Sequence, residues 1–327
     1  MARPALPLFV LGAVVLLGAG AAAWFSGGSR APRGRPAVAT HLFALHDWAA
    51  RVAGPDADVE LLEGSGDDPH GFAPSPADTV RIQRARALLT IGLGLDPWAA
   101  RALEGHEPAL ELWEAGTWVE RRRIFGAEDP EESGEAHETH AEHAHGHSHD
   151  HGHAHDHGGE DPHVWLDPQR AARIVRELGE RLAGLDPAHA EGYRRRAAEY
   201  AAELEAFAAE LPRRMERLRG RPVVVFHDAY GYFFERCGLQ VGGVVQLSPG
   251  LQPGPRDVTR ALALLREFGQ TVVFAEPERQ AQAEALAREL GGGVAILDPL
   301  ENARVYPGEG YLARLQRNAD ALLEHLK

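Results

Sequence analysis

The chain has 327 residues, 44% of them hydrophobic, enough for two domains of ordinary size with real cores. Its formal net charge of −14 excludes a nucleic-acid binder, which needs a basic face. A single cysteine, Cys237, excludes an internal disulfide and a cysteine-built zinc site, and this thiol is expected to be buried.

Residues 1–23 read as a secretory signal: Arg3 precedes an apolar run from Leu6 to Phe25, and Ala21, Ala22 and Ala23 offer a small-residue cleavage point. The competing reading is an uncleaved membrane anchor, since about 20 apolar residues span a bilayer. No cysteine near this region supplies a lipoprotein anchor. Residues 24–35 read as a flexible tether. A first α/β lobe is expected over 36–185, with strands at 37–45 (running into a helix), 58–62 and 87–91 and helices at 76–86, from Asp96 and at 169–182. A linker helix is expected over 186–219, rich in Ala, Glu, Leu and Arg, which Pro212 should kink or split. A second lobe, 220–327, repeats the rhythm, with strands at 222–226, 241–247, 271–275 and 294–297. Its helices are expected at 230–236, 257–268, 281–290 and 311–326. The fold class is therefore α/β, with two mostly parallel sheets flanked by helices.

Inside the first lobe, residues 127–160 form an acidic stretch read as disordered without metal. It carries ten histidines: His137, His140, His143, His145, His147, His149, His151, His153, His155 and His157. Neutral imidazole is the commonest protein ligand for zinc and its neighbours. The stretch is expected to bind additional Zn²⁺ weakly, as a collector, buffer or sensor or as a solvated insertion with no role in transport, and to lose it as pH falls through about 6.5.

Four other residues share one setting. His227 follows the strand PVVVF, Asp298 follows VAIL, His70 lies in a loop after DVELL, and His163 stands in DPHVWLDP before a helix. Ligands in open α/β sheets bind outside the carboxyl ends of strands, so these groups can converge on one cleft. Three imidazoles and a carboxylate suit a tetrahedral zinc. Glu276, in FAEPE, is the rival carboxylate. Asp68, Asp161, Asp167, Asp228 and Tyr230 are candidate hydrogen-bond partners of the ligands. Each histidine alone is an ordinary loop residue, and His41, His46, His106, His189 and His325 are given structural roles. A zinc hydrolase would need an open coordination position and a base, for which Glu276 stands, but the chain has no HExxH and no nucleophile motif.

The ordered set VATHLFALHDWAARVAG, DDPHGFAPSPAD, GLGLDPW, the histidine-rich insertion, DPHVWLDP, FHDAYGYFFERCGL, VFAEPERQ and VAILDPL resembles the metal-binding cluster of ABC-transporter substrate-binding proteins, in its zinc-uptake branch. The resemblance covers nearly all of the mature chain. It implies two α/β lobes joined by a rigid helix, with metal in the cleft between them. It implies metal ligands at His70, His163 and His227, with Asp298 as the matching carboxylate and a fourth position that varies among zinc relatives, water included. A third imidazole where manganese relatives carry glutamate favours zinc. The implied function is a periplasmic, monomeric, non-enzymatic zinc receptor that delivers Zn²⁺ to an inner-membrane ABC permease. The alternatives are a manganese or iron receptor of the same fold, a zinc hydrolase or a free metal buffer.

Overall fold

The computed structural model describes residues 35–64, 69–104, 110–125, 159–246 and 253–326. The expected signal, tether and histidine-rich stretch, together with Asp68 and His106, lie outside these residues, apart from Arg35 and the end of the stretch at 159–160.

The first sheet joins β1 (Ala37–Thr40), β2 (Asp58–Leu61), β3 (Ala87–Thr90) and β4 (Glu111–Glu114) in the order β2-β1-β3-β4, all parallel. The second joins β5 (Pro222–His227), β6 (Gln240–Gln246), β7 (Val272–Ala275) and β8 (Gly293–Ile296) in the order β6-β5-β7-β8, again all parallel. The two lobes thus share one topology. In each, strand order reverses beside the first strand, and the carboxyl ends there are the natural place for a ligand. β3 is wholly buried and β5 nearly so, which matches their continuous apolar sequences.

Helices cover the sheets: α1 (Phe43–Ala53), α2 (Pro76–Arg84), α3 (Pro97–Leu103) and α4 (Pro168–Leu185) in the first lobe. The second carries α6 (Gly231–Cys237), α7 (Pro255–Glu267), α8 (Gln280–Leu290) and α9 (Tyr311–His325). Between them runs α5 (Ala190–Arg214). Pro212 does not split this helix. It falls in the last turn, so the lost N–H bond and ring clash end the helix two residues later. α5 lies against α4 at close range: a Cβ on Gly179 would come within 2.6 Å of Ala197 Cβ, so glycine is what lets the backbones approach.

One buried cluster runs through both lobes. It contains Val38, Trp48 and Trp113 from the first, Leu204 and Leu211 from α5, and Val225, Phe233, Phe274 and Tyr311 from the second. Cys237 is buried within it, as expected. Hydrogen bonds reinforce the seam: Trp165 Nε1 donates to Pro299 O at 2.7 Å, Tyr311 hydroxyl to Trp165 O at 2.5 Å, and Phe43 N–H to Glu301 O at 2.9 Å. Arg236 pairs with Asp167 through two bonds of 2.8 and 3.0 Å. Moving one lobe against the other would break this continuous core, so large hinge closure is disfavoured.

Candidate metal centre

His70 stands on a single 3-10 turn, Pro69–Gly71, after β2. The loop is knotted by Asp78, which is fully buried at the start of α2. Its carboxylate accepts from Glu63 N–H at 3.1 Å, Gly64 N–H at 3.0 Å, Ser75 N–H at 3.0 Å and the Ser75 hydroxyl at 2.6 Å. Burial alone would raise the Asp78 pKa, but these hydrogen bonds outweigh it and hold the carboxyl below its usual value of 3.8. The Ser-Pro-Ala-Asp capping box is a sequence signal for this knot.

His163 precedes the 3-10 turn Val164–Leu166 and is almost wholly buried. Its Nδ1 lies 2.8 Å from Asp161 Oδ1, which also accepts its backbone N–H at 3.0 Å. That partner assigns the proton to Nδ1 and leaves the Nε2 lone pair for a metal. Burial raises the Asp161 pKa to about 7, against the opposing pull of the His163 N–H and Arg122.

His227 is the last residue of β5, beside Gln246 of β6. Desolvation of its ring, with smaller pushes from His163 and Arg279, lowers its pKa to about 3. The ring is therefore neutral at physiological pH and needs no proton removed before it coordinates.

The three rings meet. Centroids are 5.3 Å apart for His70 and His163, 5.4 Å for His163 and His227, and 5.6 Å for His70 and His227. One donor nitrogen from each lies within 4.8 Å of the others, and His70 Nε2 faces His163 Nε2 at 3.2 Å. Two of the imidazoles come from one lobe and one from the other, with the continuous core beneath.

Asp298 is not in this group among the described residues. Its carboxylate accepts two buried hydrogen bonds from Arg314 of α9, one to Oδ1 from a terminal guanidinium nitrogen at 2.7 Å and one to Oδ2 from Nε. Oδ1 also accepts Leu300 N–H at 2.8 Å. Leu300 has φ 58°, in the left-handed region where a leucine is strained. Asp298 is thus the brace of a strained turn, and that turn presents Glu301. Glu301 lines a cavity of about 260 Å³ with His227, Glu276 and Arg279, and also one of about 130 Å³ with His41, Pro69 and Phe72. It stands between the regions of His227 and of the His70 turn. The sequence reading did not single it out, although it lies in the same Asp-Pro-Leu-Glu run as Asp298.

Glu276 follows β7 and lines the His227 cavity. It is 5% exposed, and burial raises its pKa to about 7 against smaller opposing pulls from a backbone N–H, Arg279 and Tyr230. It too is outside the three-histidine group. Of the expected ligand partners, Asp161 serves His163. Asp167 instead caps α4 and pairs with Arg170 and Arg236. Asp228 accepts Phe125 N–H at 2.9 Å, and Tyr230 hydroxyl donates to Leu297 O at 2.7 Å. His41 packs against Phe72 and Trp98 and lies 3.2 Å from Asp96.

Known proteins agree with this architecture. Over 298 residues the chain is 25% identical to the zinc-binding protein AdcA of Streptococcus pyogenes serotype M3, covering 88% of this chain and 56% of that protein. It is 30% identical over 155 residues to the high-affinity zinc uptake system protein ZnuA of Brucella abortus, covering 47% of this chain and 46% of that one. The chain thus spans about half the length of the curated relatives it matches. The structure of the laminin-binding protein Lmb of Streptococcus agalactiae, described as a bifunctional adhesin with metal-transporting activity, superposes with a TM-score of 0.71 at 25% identity, covering 89% of this chain and all of that one. Residues 38–325 match the family of ZnuA, the periplasmic component A of the zinc-uptake complex, and the chain belongs to that family.

Proposed function

We propose that this protein is an exported zinc receptor. It holds one Zn²⁺ between its lobes through His70, His163 and His227 and surrenders it to an ABC permease in the inner membrane. The observation that carries the reading is the pair of facing nitrogens, His70 Nε2 and His163 Nε2, 3.2 Å apart. Two ligands on a tetrahedral zinc with bonds of about 2.0–2.1 Å stand about 3.3–3.4 Å apart. His227, already neutral, supplies a third nitrogen within reach of both. Glu301 is the carboxylate best placed to complete the shell, because it alone of Glu276, Asp298 and Glu301 lines the cavities on both sides. Three imidazole nitrogens plus one carboxylate match borderline-soft zinc better than a harder oxygen-loving ion. The names of AdcA, a zinc-binding protein, and of the Brucella protein, a zinc uptake system protein, point the same way. The role is capture and not catalysis, and the periplasm is the expected compartment.

Competition calorimetry with metal analysis tests this on three proteins: the mature chain, a chain lacking residues 136–158, and the His227→Ala variant of that shortened chain. The expected result is one tight zinc per chain that survives the deletion and is lost with His227. Loss of tight binding on deletion alone would overturn the assignment.

A further inference from the structure

The residues on either side of the histidine-rich stretch reach the ligand-bearing loops of both lobes. The foot is closed by backbone: Ile124 N–H donates to Gly159 O at 3.0 Å, Asp161 N–H to Arg122 O at 2.9 Å, and Arg123 and Glu160 form an antiparallel bridge. From this foot Arg122 sends one guanidinium nitrogen to Asp161 Oδ2 at 2.9 Å. The other oxygen of the same carboxylate holds His163 Nδ1. Arg122 N–H donates to the Tyr232 hydroxyl at 2.9 Å, and that hydroxyl donates to Asp161 O at 2.9 Å. The guanidinium carbon lies 5.5 Å from the Tyr232 ring centroid. Three residues on, Phe125 N–H donates to Asp228, the neighbour of His227.

Gly231, the first residue of α6, is shaped to this arrangement. A Cβ there would fall 1.2 Å from an Arg122 guanidinium nitrogen, and Gly231 is itself buried. The second lobe therefore leaves a notch that a side chain from the first lobe fills. Resting on the reading that His163 holds the metal, we infer that Arg122 is a positioning residue of the metal centre. It fixes Asp161 so that His163 presents Nε2 to the cleft. By lying in the Gly231 notch over Tyr232, it also sets the first lobe's ligand loop in register against α6 of the second. An arginine suits both tasks because its planar fork bonds a carboxylate while its face lies on a ring. In sequence it is the middle of three consecutive arginines, which reads as a solvated charge run.

The test is zinc affinity of the full chain, measured against a chelator strong enough to strip weak sites, beside thermal unfolding of the metal-free protein. The variants are Arg122→Gln, Arg122→Lys, Gly231→Ala, the Arg122→Gln/Gly231→Ala pair, and His163→Ala. Residues that orient a ligand typically change metal affinity 10–100-fold, so Arg122→Gln is expected to weaken zinc about tenfold. Lysine should recover only part of that. Gly231→Ala should weaken zinc similarly, with a fall in melting temperature no larger than that of Arg122→Gln, since both remove the same contact. The pair should be no worse than either single change, because both remove the same contact. The inference is overturned if Arg122→Gln and Gly231→Ala lower only the melting temperature while His163→Ala abolishes tight binding. If His163→Ala binds zinc as tightly as the parent, the site reading itself fails, and this inference with it.

Discussion

Replacing Asp298 with asparagine separates a brace from a ligand. Arg314 is fully buried, and its guanidinium bonds both Asp298 oxygens, donates to Asn302 O at 3.0 Å and lies 4.0 Å from the Phe43 ring centroid. Asp298→Asn keeps the shape but leaves the arginine charge uncompensated in the interior. Breaking a buried pair from one side costs about 3–5 kcal/mol. In a chain of this size, at about 2 °C per kcal/mol, the melting temperature should fall by roughly 6–10 °C. The amide oxygen that replaces the carboxylate can still accept Leu300 N–H, so the turn carrying Glu301 is expected to survive. Adding Arg314→Gln, which removes the stranded charge and restores an amide pair, should return most of the stability. Calorimetry of the metal-free proteins reads the first effect, and chelator competition reads zinc affinity in the double variant, expected to stay within about tenfold of the parent. The reasoning is refuted if Asp298→Asn leaves the melting temperature unchanged but abolishes tight zinc binding, which is the behaviour of a ligand.

Other consequences concern the seam and the pH response. Trp165→Phe removes the indole donor of Pro299 O and should cost about 1–3 kcal/mol, read as a lower denaturant midpoint; an unchanged midpoint would show that this bond does not join the lobes. His41 is expected to make the fold acid-sensitive. Burial lowers its pKa from 6.5 to about 3, so below pH 6.5 the unfolded chain takes up a proton that the folded chain refuses. Its contribution to stability is therefore full above pH 6.5 and declines as pH falls toward 3, by up to about 1.4 kcal/mol per pH unit. His41→Phe, set beside Phe72 and Trp98, should flatten the fall of melting temperature between pH 6 and 4; a parallel curve would exclude His41 as the source. The raised pKa of Asp96, 3.2 Å from His41, works in the opposite sense, so the comparison is made in an Asp96→Asn background, where only His41 differs.

Seven of the eight strands among the described residues were legible, most of them as short runs rich in Val, Leu and Ala between helical patterns. The eighth, β4, was not, since only Trp113 of its four residues is buried and it reads as a polar edge. That His70, His163 and His227 would come together was legible for a physical reason as well: each sits in a loop or at the end of a strand, where a parallel sheet gathers ligands. The surroundings of the carboxylates were less legible. Asp298 follows its strand as a ligand would, but what consumes it is Arg314, brought back from sixteen residues later by α9. Glu301 owes its position to a strained turn at Leu300 that no local pattern announces. Arg122 was hidden for the converse reason, as its partners Asp161 and Tyr232 come from distant parts of the chain. The histidine-rich stretch is the loudest signal in the sequence, yet among the described residues, which leave out its histidines, three others already form a cluster.

The central claim is that those three histidines hold the ion, and anomalous diffraction at the zinc edge from crystals of the zinc-loaded chain tests it most directly. The account expects one dominant peak about 2.0–2.1 Å from a ring nitrogen of each of His70, His163 and His227, with Glu301 or a water as the fourth neighbour. A dominant peak bound by Asp298, or none among the three rings, would contradict it.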